Sequence, residues 1–225
     1  MAKSMSLLWG AGSPPCWRVM ITLEEKRLQG YKRKLLSFQK GEHKSQEVLE
    51  LNPRGQLPAF RHGDVVVNES TAACLYLENR FQSQGNRLIP DSPAEQALVF
   101  QRMMEGLTLT DRLNSVIYYD LLVPEEERHD STLKRSKETL STELQLWEGY
   151  LQNVWSISNH TPVSLRLTAS ALGLIAGSRS RGLSAGRFPK LAKYYSLLKE
   201  RPSIKASWPP QWMSSRQGYG VLKDL

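Results

Sequence analysis

The spacing of apolar residues near the start of the chain predicts a strand, a helix and a second strand. Residues 6–9 form a short apolar run, and a turn rich in Gly and Pro follows it. Pro15 suits the first position of a helix, in which Cys16, Met20 and Leu23 recur at helical spacing. Residues 31–38 alternate loosely and predict the second strand. This unit is long enough for a right-handed crossover between parallel strands.

A second pattern predicts a strand hairpin that leads into a helix. Residues 57–60 are extended, a His-Gly-Asp turn follows, and residues 65–67 form another apolar run. The helical pattern that continues to Phe81 starts at residues 68–70. Pro58 is a candidate for a cis peptide bond, which would turn the backbone of Leu57 toward a ligand. The order βαβ and then ββα is the thioredoxin-like arrangement.

After residue 81 the strand signal disappears. Residues 81–93 form a linker, and helical patterns follow at 94–116, 131–152 and 188–199. The sequence therefore predicts an α/β thioredoxin-like N-terminal domain over residues 1–85. An all-α C-terminal domain is predicted over residues 92–225.

Composition narrows the function classes. The chain has 225 residues, of which 40% are hydrophobic, and no apolar run approaches the ~20 residues of a membrane helix. Its first residues lack the long apolar stretch of a secretory signal. Two cysteines supply neither a disulfide framework nor metal-ligand spacing. We expect a cytoplasmic protein with no metal and no membrane partner.

The net charge of +8 comes almost wholly from the last third of the chain, where no Asp occurs between Asp130 and Asp224. No nucleic-acid recognition motif accompanies this basic stretch. A solvated basic surface explains it better than a nucleic-acid site, so we expect no nucleic-acid partner.

The predicted helix start at residues 68–70 suits an anionic ligand. A helix N-terminus offers unpaired N–H groups and the positive end of a dipole. On physical grounds alone, an ordinary hairpin with a capped helix remains an alternative.

The order of residues over positions 52–70 resembles the glutathione-binding half of glutathione S-transferases. It reads Asn-Pro-Arg-Gly-Gln-Leu-Pro-Ala-Phe and ends in Asn-Glu-Ser. In that family the residue before the proline pairs through its backbone with the tripeptide, and the Glu-Ser pair holds the γ-glutamyl end. The resemblance implies that glutathione is bound by Gln56, Leu57, Glu69 and Ser70.

The stretch Gly-Ser-Pro-Pro-Cys-Trp-Arg-Val at residues 12–19 resembles the serine-type motif of this family. The resemblance implies that Ser13 contacts glutathione and is catalytic. A free thiol of pKa ~8.5 is only slightly ionised at neutral pH, whereas the reaction needs the thiolate. A hydroxyl that donates a hydrogen bond to the sulfur favours the thiolate. Two alternatives remain. Ser13 also suits a helix cap, and cysteine-type relatives carry Cys at its position, although Cys16 inside the helix is better explained as a packed core residue.

The loop Lys-Gly-Glu-His-Lys-Ser at residues 40–45 resembles a stretch of theta-class enzymes that holds the glycyl carboxylate of glutathione. His43 and Lys44 are the implied ligands, and the alternative is that both face solvent. The N-terminal half as a whole looks most like the theta-related rho class.

The family resemblance implies a glutathione transferase, an enzyme that conjugates the glutathione thiolate to hydrophobic electrophiles in detoxification. It implies a homodimer and no cofactor beyond glutathione as co-substrate. The helical domain would supply an apolar pocket, for which we select Met104, Leu107 and Tyr118, although such side chains on helices are more often core.

Residues 153–186 depart from the family. Members carry a Ser/Thr-x-x-Asp capping box there, whereas in this chain Leu167 occupies the Asp position after Ser164. The block change in composition suggests a segment read in another frame, which sequencing of independent transcripts would test. The departure leaves an alternative function open, a non-catalytic protein of the same fold that binds glutathione or apolar ligands.

Overall fold

The computed structural model describes residues 4–154, 181–209 and 220–225. The chain divides into two compact units. The first runs to Gln96 and takes in the chain again from Arg201, and the second runs from Ala97 to Glu200 and includes the last residues. The predicted domain limits, 1–85 and 92–225, stay a prediction. The sequence interpretations that concern Ser164 and Leu167 lie outside the described residues.

A four-stranded mixed sheet forms the centre of the first unit, in the order β2-β1-β3-β4. β1 pairs in parallel with β2 and antiparallel with β3, so that Leu7 faces Arg33 on one side and Phe60 on the other. β3 pairs antiparallel with β4, where Phe60 faces Val67. The predicted thioredoxin-like fold is confirmed. The strands are β1 (Met5–Gly10), β2 (Lys32–Leu36), β3 (Ala59–His62) and β4 (Val65–Val67).

Eight α-helices lie in the described residues, and no strand follows Pro93 in that part of the chain. The first helix begins at Pro14, one residue before the predicted start. A 3₁₀ turn, Glu42–Lys44, precedes the second helix. The helices are α1 (Pro14–Glu25), α2 (Gln46–Leu51), α3 (Ser70–Arg80), α4 (Pro93–Ile117), α5 (Tyr119–Leu122), α6 (Asp130–Val154), α7 (Pro189–Leu198) and α8 (Pro202–Ser207).

Helix α8 packs on α1 in the first unit and was not predicted as a helix. The indole N–H of Trp17 donates to the Ser207 hydroxyl over 3.0 Å. The rings of Trp17 and Trp208 meet edge to face, with centroids 5.1 Å apart. Because Trp17 is 1% exposed, α8 completes the core of this unit.

In the second unit, α6 and α7 pack together. Leu140, Leu144 and Trp147 are buried on one face of α6. The Glu148 carboxylate accepts the backbone N–H groups of Lys190 and Leu191 at 2.7 and 2.9 Å, so α6 caps the start of α7. None of the described helices is both long and apolar enough to span a membrane.

Candidate active site

Ser13 is the N-cap of α1. Its hydroxyl oxygen accepts the backbone N–H of Cys16 at 3.4 Å, and two prolines follow at positions that need no N–H partner. A hydroxyl has one donor and two acceptor positions. The remaining positions of the Ser13 hydroxyl can serve the nearby Cys16 sulfur or a ligand. Capping the helix and donating to a ligand are therefore compatible roles for this side chain.

Cys16 lies in the core and is not a candidate nucleophile. Its side chain is fully buried, and the Gly10 N–H donates to its Sγ at 3.4 Å. Burial raises the pKa of the Cys16 thiol to about 11, against a smaller lowering by the hydrogen bonds with Ser13 and Gly10. The thiol is therefore protonated near neutral pH, and only the thiolate is a good nucleophile.

The loop before β3 contains Leu57, whose backbone was predicted to turn toward a ligand. The Leu57–Pro58 peptide bond is cis. Asn52 holds the loop, because its side-chain amide donates to the Gln56 carbonyl at 2.8 Å. The Gln56 side chain is exposed, and Leu57 is buried. Within the described residues, the Leu57 N–H donates to no backbone carbonyl.

The start of α3 lies beside this loop. Asn68 ties it to α2, since its amide donates to the Leu51 carbonyl at 2.7 Å. Glu69 is the N-cap, but its carboxylate caps nothing and instead pairs with Arg54 at 3.0 Å, where both side chains are more than 70% exposed. An exposed pair of this kind contributes little to stability, so the Glu69 carboxylate can exchange partners. Ser70, by contrast, is 6% exposed.

Arg18 joins α1 to the start of α3, a role that the sequence analysis missed. Its Nη1 donates to the hydroxyls of Ser70 and Thr71 at 2.9 and 2.8 Å. Burial lowers the pKa of this guanidinium from its ordinary value. The signal was available, because Arg18 is the one charged residue between Pro14 and Leu23. A charge inside such an apolar helix is buried and needs partners.

His43 and Lys44 lie in the 3₁₀ turn. The half-buried His43 ring lies 5.2 Å from that of Phe38, and its Nδ1 is buried with no hydrogen-bond partner in the described residues. The Lys44 ammonium donates to the Arg54 carbonyl at 3.1 Å. Gly55 permits this approach, because a Cβ there would lie 2.7 Å from the Lys44 Cδ. Lys44 is thereby held against the loop that leads to Leu57.

The three predicted pocket residues lie on or next to α4 in the second unit. Met104 and Leu107 are 48% and 37% exposed, so neither is a core residue of the described unit. Tyr118 is half-buried, with the Arg181 guanidinium 5.6 Å from its ring centre. A cavity of about 410 Å³ in this unit is lined by other, mostly charged side chains of α6, among them Lys134, Lys137 and Glu138.

In the part of the chain that the structure describes, no group of three or more His, Cys, Asp or Glu side chains is placed to hold a metal ion.

Comparisons with known proteins give one family. Residues 12–80 match the family model described as "Glutathione S-transferase, N-terminal domain". The chain is 62% identical over 226 residues to "Glutathione S-transferase A" of Pleuronectes platessa, with both proteins covered completely. It is 26% identical over 203 residues to a glutathione S-transferase of Hyoscyamus muticus, covering 88% of this chain and 95% of the other.

Solved structures agree with this assignment. A glutathione S-transferase of the Antarctic clam Laternula elliptica matches with a TM-score of 0.85 and 36% identity, over 98% of this chain and 99% of that one. A Phanerochaete chrysosporium glutathione transferase with oxidised glutathione matches with a TM-score of 0.78 and 25% identity, covering 94% and 97% of the two chains. The resemblance to the rho class is consistent with the fish relative. The chain belongs to the glutathione S-transferase family.

Proposed function

We propose that this chain conjugates glutathione to hydrophobic electrophiles, with Ser13 as the catalytic residue. One observation carries the proposal. The Ser13 hydroxyl stands at the N-terminus of α1 and accepts the Cys16 N–H there, and its own hydrogen can rotate to donate to a ligand sulfur. A thiol sulfur that receives this hydrogen bond is stabilised as thiolate, and the positive end of the helix dipole acts in the same direction.

The tripeptide binds along the loops of the first unit. Ser70 and the N–H groups at the start of α3 receive the γ-glutamyl carboxylate, and the exposed Glu69 receives the γ-glutamyl ammonium. The Leu57 backbone pairs with the cysteinyl residue, next to Gln56. The glycyl carboxylate lies with His43 and Lys44, since a cation and a ring N–H suit a carboxylate.

The chemical step is nucleophilic attack by the bound thiolate. The sulfur lone pair forms a bond to carbon of the electrophile, and with an aryl halide the halide leaves with the electron pair of the broken bond. Only the thiolate reacts at a useful rate, so a donor to sulfur lowers the pKa of the thiol and raises turnover at neutral pH.

Other features belong to the same proposal. Met104 and Leu107, which are exposed on α4 in their own unit, and the half-buried Tyr118 next to α4 supply apolar surface for the electrophile. The enzyme works as a homodimer in the cytoplasm, needs no cofactor beyond glutathione, and serves detoxification. Neither nucleic acid nor a membrane is a partner.

Replacing Ser13 with alanine tests the proposal. With an aryl halide as electrophile, we expect Ser13→Ala to raise the pH midpoint of turnover by about 1–2 units. The variant loses a hydrogen bond to the thiolate, and a hydrogen bond to a charged group stabilises it by about 1.5–3 kcal/mol. The dissociation constant of glutathione should stay within about threefold. Ser196→Ala, an exposed helical serine of the second unit, is the matched control. Full turnover of Ser13→Ala at neutral pH would show that Ser13 is only a helix cap.

The alternative, a non-catalytic glutathione-binding protein, rests on the unusual composition of residues 153–186. The similarity to proteins named as transferases does not favour it. Equilibrium binding of glutathione without turnover of several aryl halides would support this alternative and contradict our proposal.

A further inference from the structure

The start of α3 holds a buried positive charge without a described counter-ion. Arg18 is 6% exposed, and no carboxylate in the described residues forms an ion pair with it. Its Nε is also buried without a hydrogen-bond partner there. A buried charge costs much free energy unless it is paired and hydrogen-bonded.

The helix adds to this positive potential. α3 has 11 residues and no acidic side chain in its first turn. Glu69 forms no ion pair with Arg18 and acts on it only from a distance, because its exposed carboxylate is paired with Arg54. The buried guanidinium and the positive end of the helix dipole therefore lie together, which favours an anion from outside.

Hydrogen-bond geometry shows how the guanidinium acts. The two hydrogens of Arg18 Nη1 go to the oxygens of Ser70 and Thr71. A hydroxyl that accepts from a cation directs its own hydrogen elsewhere, so both hydroxyls are set as donors. The two side chains thus present O–H groups at the same helix end.

We propose that Arg18 is a positioning residue that selects a carboxylate at the γ-glutamyl end of the substrate, acting through the Ser70 and Thr71 hydroxyls. This inference rests on the proposed function. It predicts that the site distinguishes glutathione from an analogue in which a hydrogen replaces the γ-glutamyl α-carboxylate.

The test combines protein and ligand variants. Arg18→Met should raise the dissociation constant of glutathione roughly 10-fold to 100-fold, the range for one hydrogen bond to a charged group. Arg18→Lys keeps the charge but loses the planar guanidinium with its fixed N–H donors, so we expect a smaller effect on the dissociation constant. Binding of the analogue should change less than about twofold, and turnover at saturating glutathione less than about threefold. Arg61→Met, which removes an exposed guanidinium from β3, is the matched control and should bind glutathione like the parent chain.

The outcomes separate the inference from the proposed function. If both ligands weaken equally in the Arg18 variants, or turnover falls as much as affinity, Arg18 is only structural and the inference is overturned. If Arg18→Met does not fold, the comparison of glutathione with the analogue in Arg18→Lys decides in the same way. A parent chain that turns over glutathione while its Arg18 variants bind normally overturns the inference alone. A parent chain that neither binds nor turns over glutathione overturns the proposed function.

Discussion

Replacing Glu78 with glutamine should strongly destabilise the first unit. The Lys26 ammonium lies 2.7 Å from the Glu78 carboxylate, and the two side chains are 0% and 2% exposed. Lys26 also donates to the Asn86 carbonyl at 3.1 Å. The other carboxylate oxygen accepts the N–H groups of Leu88 and Ile89 at 2.9 and 3.3 Å. This cluster joins α1, α3 and the linker after α3.

The expected loss follows from this burial. Removing one partner of a buried ion pair leaves the other charge uncompensated, which costs about 3–5 kcal/mol. Lys26→Met should therefore cost a similar amount by itself. The double variant, Lys26→Met with Glu78→Gln, removes both charges of this pair and keeps an amide oxygen for Leu88 and Ile89. We expect it to be more stable than either single variant, because replacing both charges is often nearly neutral.

Urea unfolding followed by tryptophan fluorescence measures these differences. Urea is uncharged and does not screen ion pairs as guanidinium chloride does. With a slope of about 2–3 kcal/mol per molar, the single variants should unfold at roughly 1–2 M lower urea. Protein concentration must be the same in all samples, because association shifts apparent stability.

The matched control is Glu47→Gln, which breaks an exposed pair with Lys34 at 57% and 47% exposure. It should change stability by no more than about 1 kcal/mol. A Glu78→Gln loss as small as that of the control would refute the reasoning. So would a double variant that loses the sum of the two single losses.

Three further predictions concern packing and reactivity in the first unit. Gly10→Ala places a Cβ against the Phe38 ring and should displace that ring from the His43 ring. We expect glutathione affinity to fall roughly 2–10-fold, with little change in melting temperature. Calorimetric titration checks this, and unchanged affinity would contradict it. Cys16 and Cys74 should resist iodoacetamide in the folded protein at mildly alkaline pH, because burial raises both pKa values to about 11. Mass spectrometry that finds either cysteine alkylated in the native protein would contradict this prediction. Gly85→Ala should lower the melting temperature by at least about 4 °C, since Gly85 has a φ of 65° and a Cβ there would lie 2.5 Å from the Lys26 Cα at the end of α1. A smaller shift in calorimetry would mean that the linker moves away.

The sheet and the helices α1 and α3 could be predicted because their signals are local. The apolar run of β1, the helical spacing of α1 and the hairpin turn each depend on neighbouring residues alone. The Ser13 cap and the cis Leu57–Pro58 bond were also accessible, because helix starts and X-Pro bonds carry their own chemistry. For the same reason the predicted start of α3 at residues 68–70 agrees with its observed start at Ser70.

Elements that depend on distant partners could not be predicted. Helix α8 has six residues, too few for a stable isolated helix, and it is held by contacts far along the chain. The Ser203 hydroxyl donates to the Glu25 carboxylate at 2.6 Å, and Ser207 receives the indole N–H of Trp17. The role of Arg18 was missed for the same reason, since its partners are more than 50 positions away.

The return of α8 to the first unit sets an order of events during synthesis. Trp17 and its partner Ser207 are 190 residues apart in the chain. At about 5–20 residues per second, a ribosome needs roughly 10–40 s to make the intervening chain. For that time the nascent unit carries its sheet and α1 while the indole surface stays uncovered. A chaperone that binds aromatic surface, or aggregation of stalled chains, would act in this interval rather than after release.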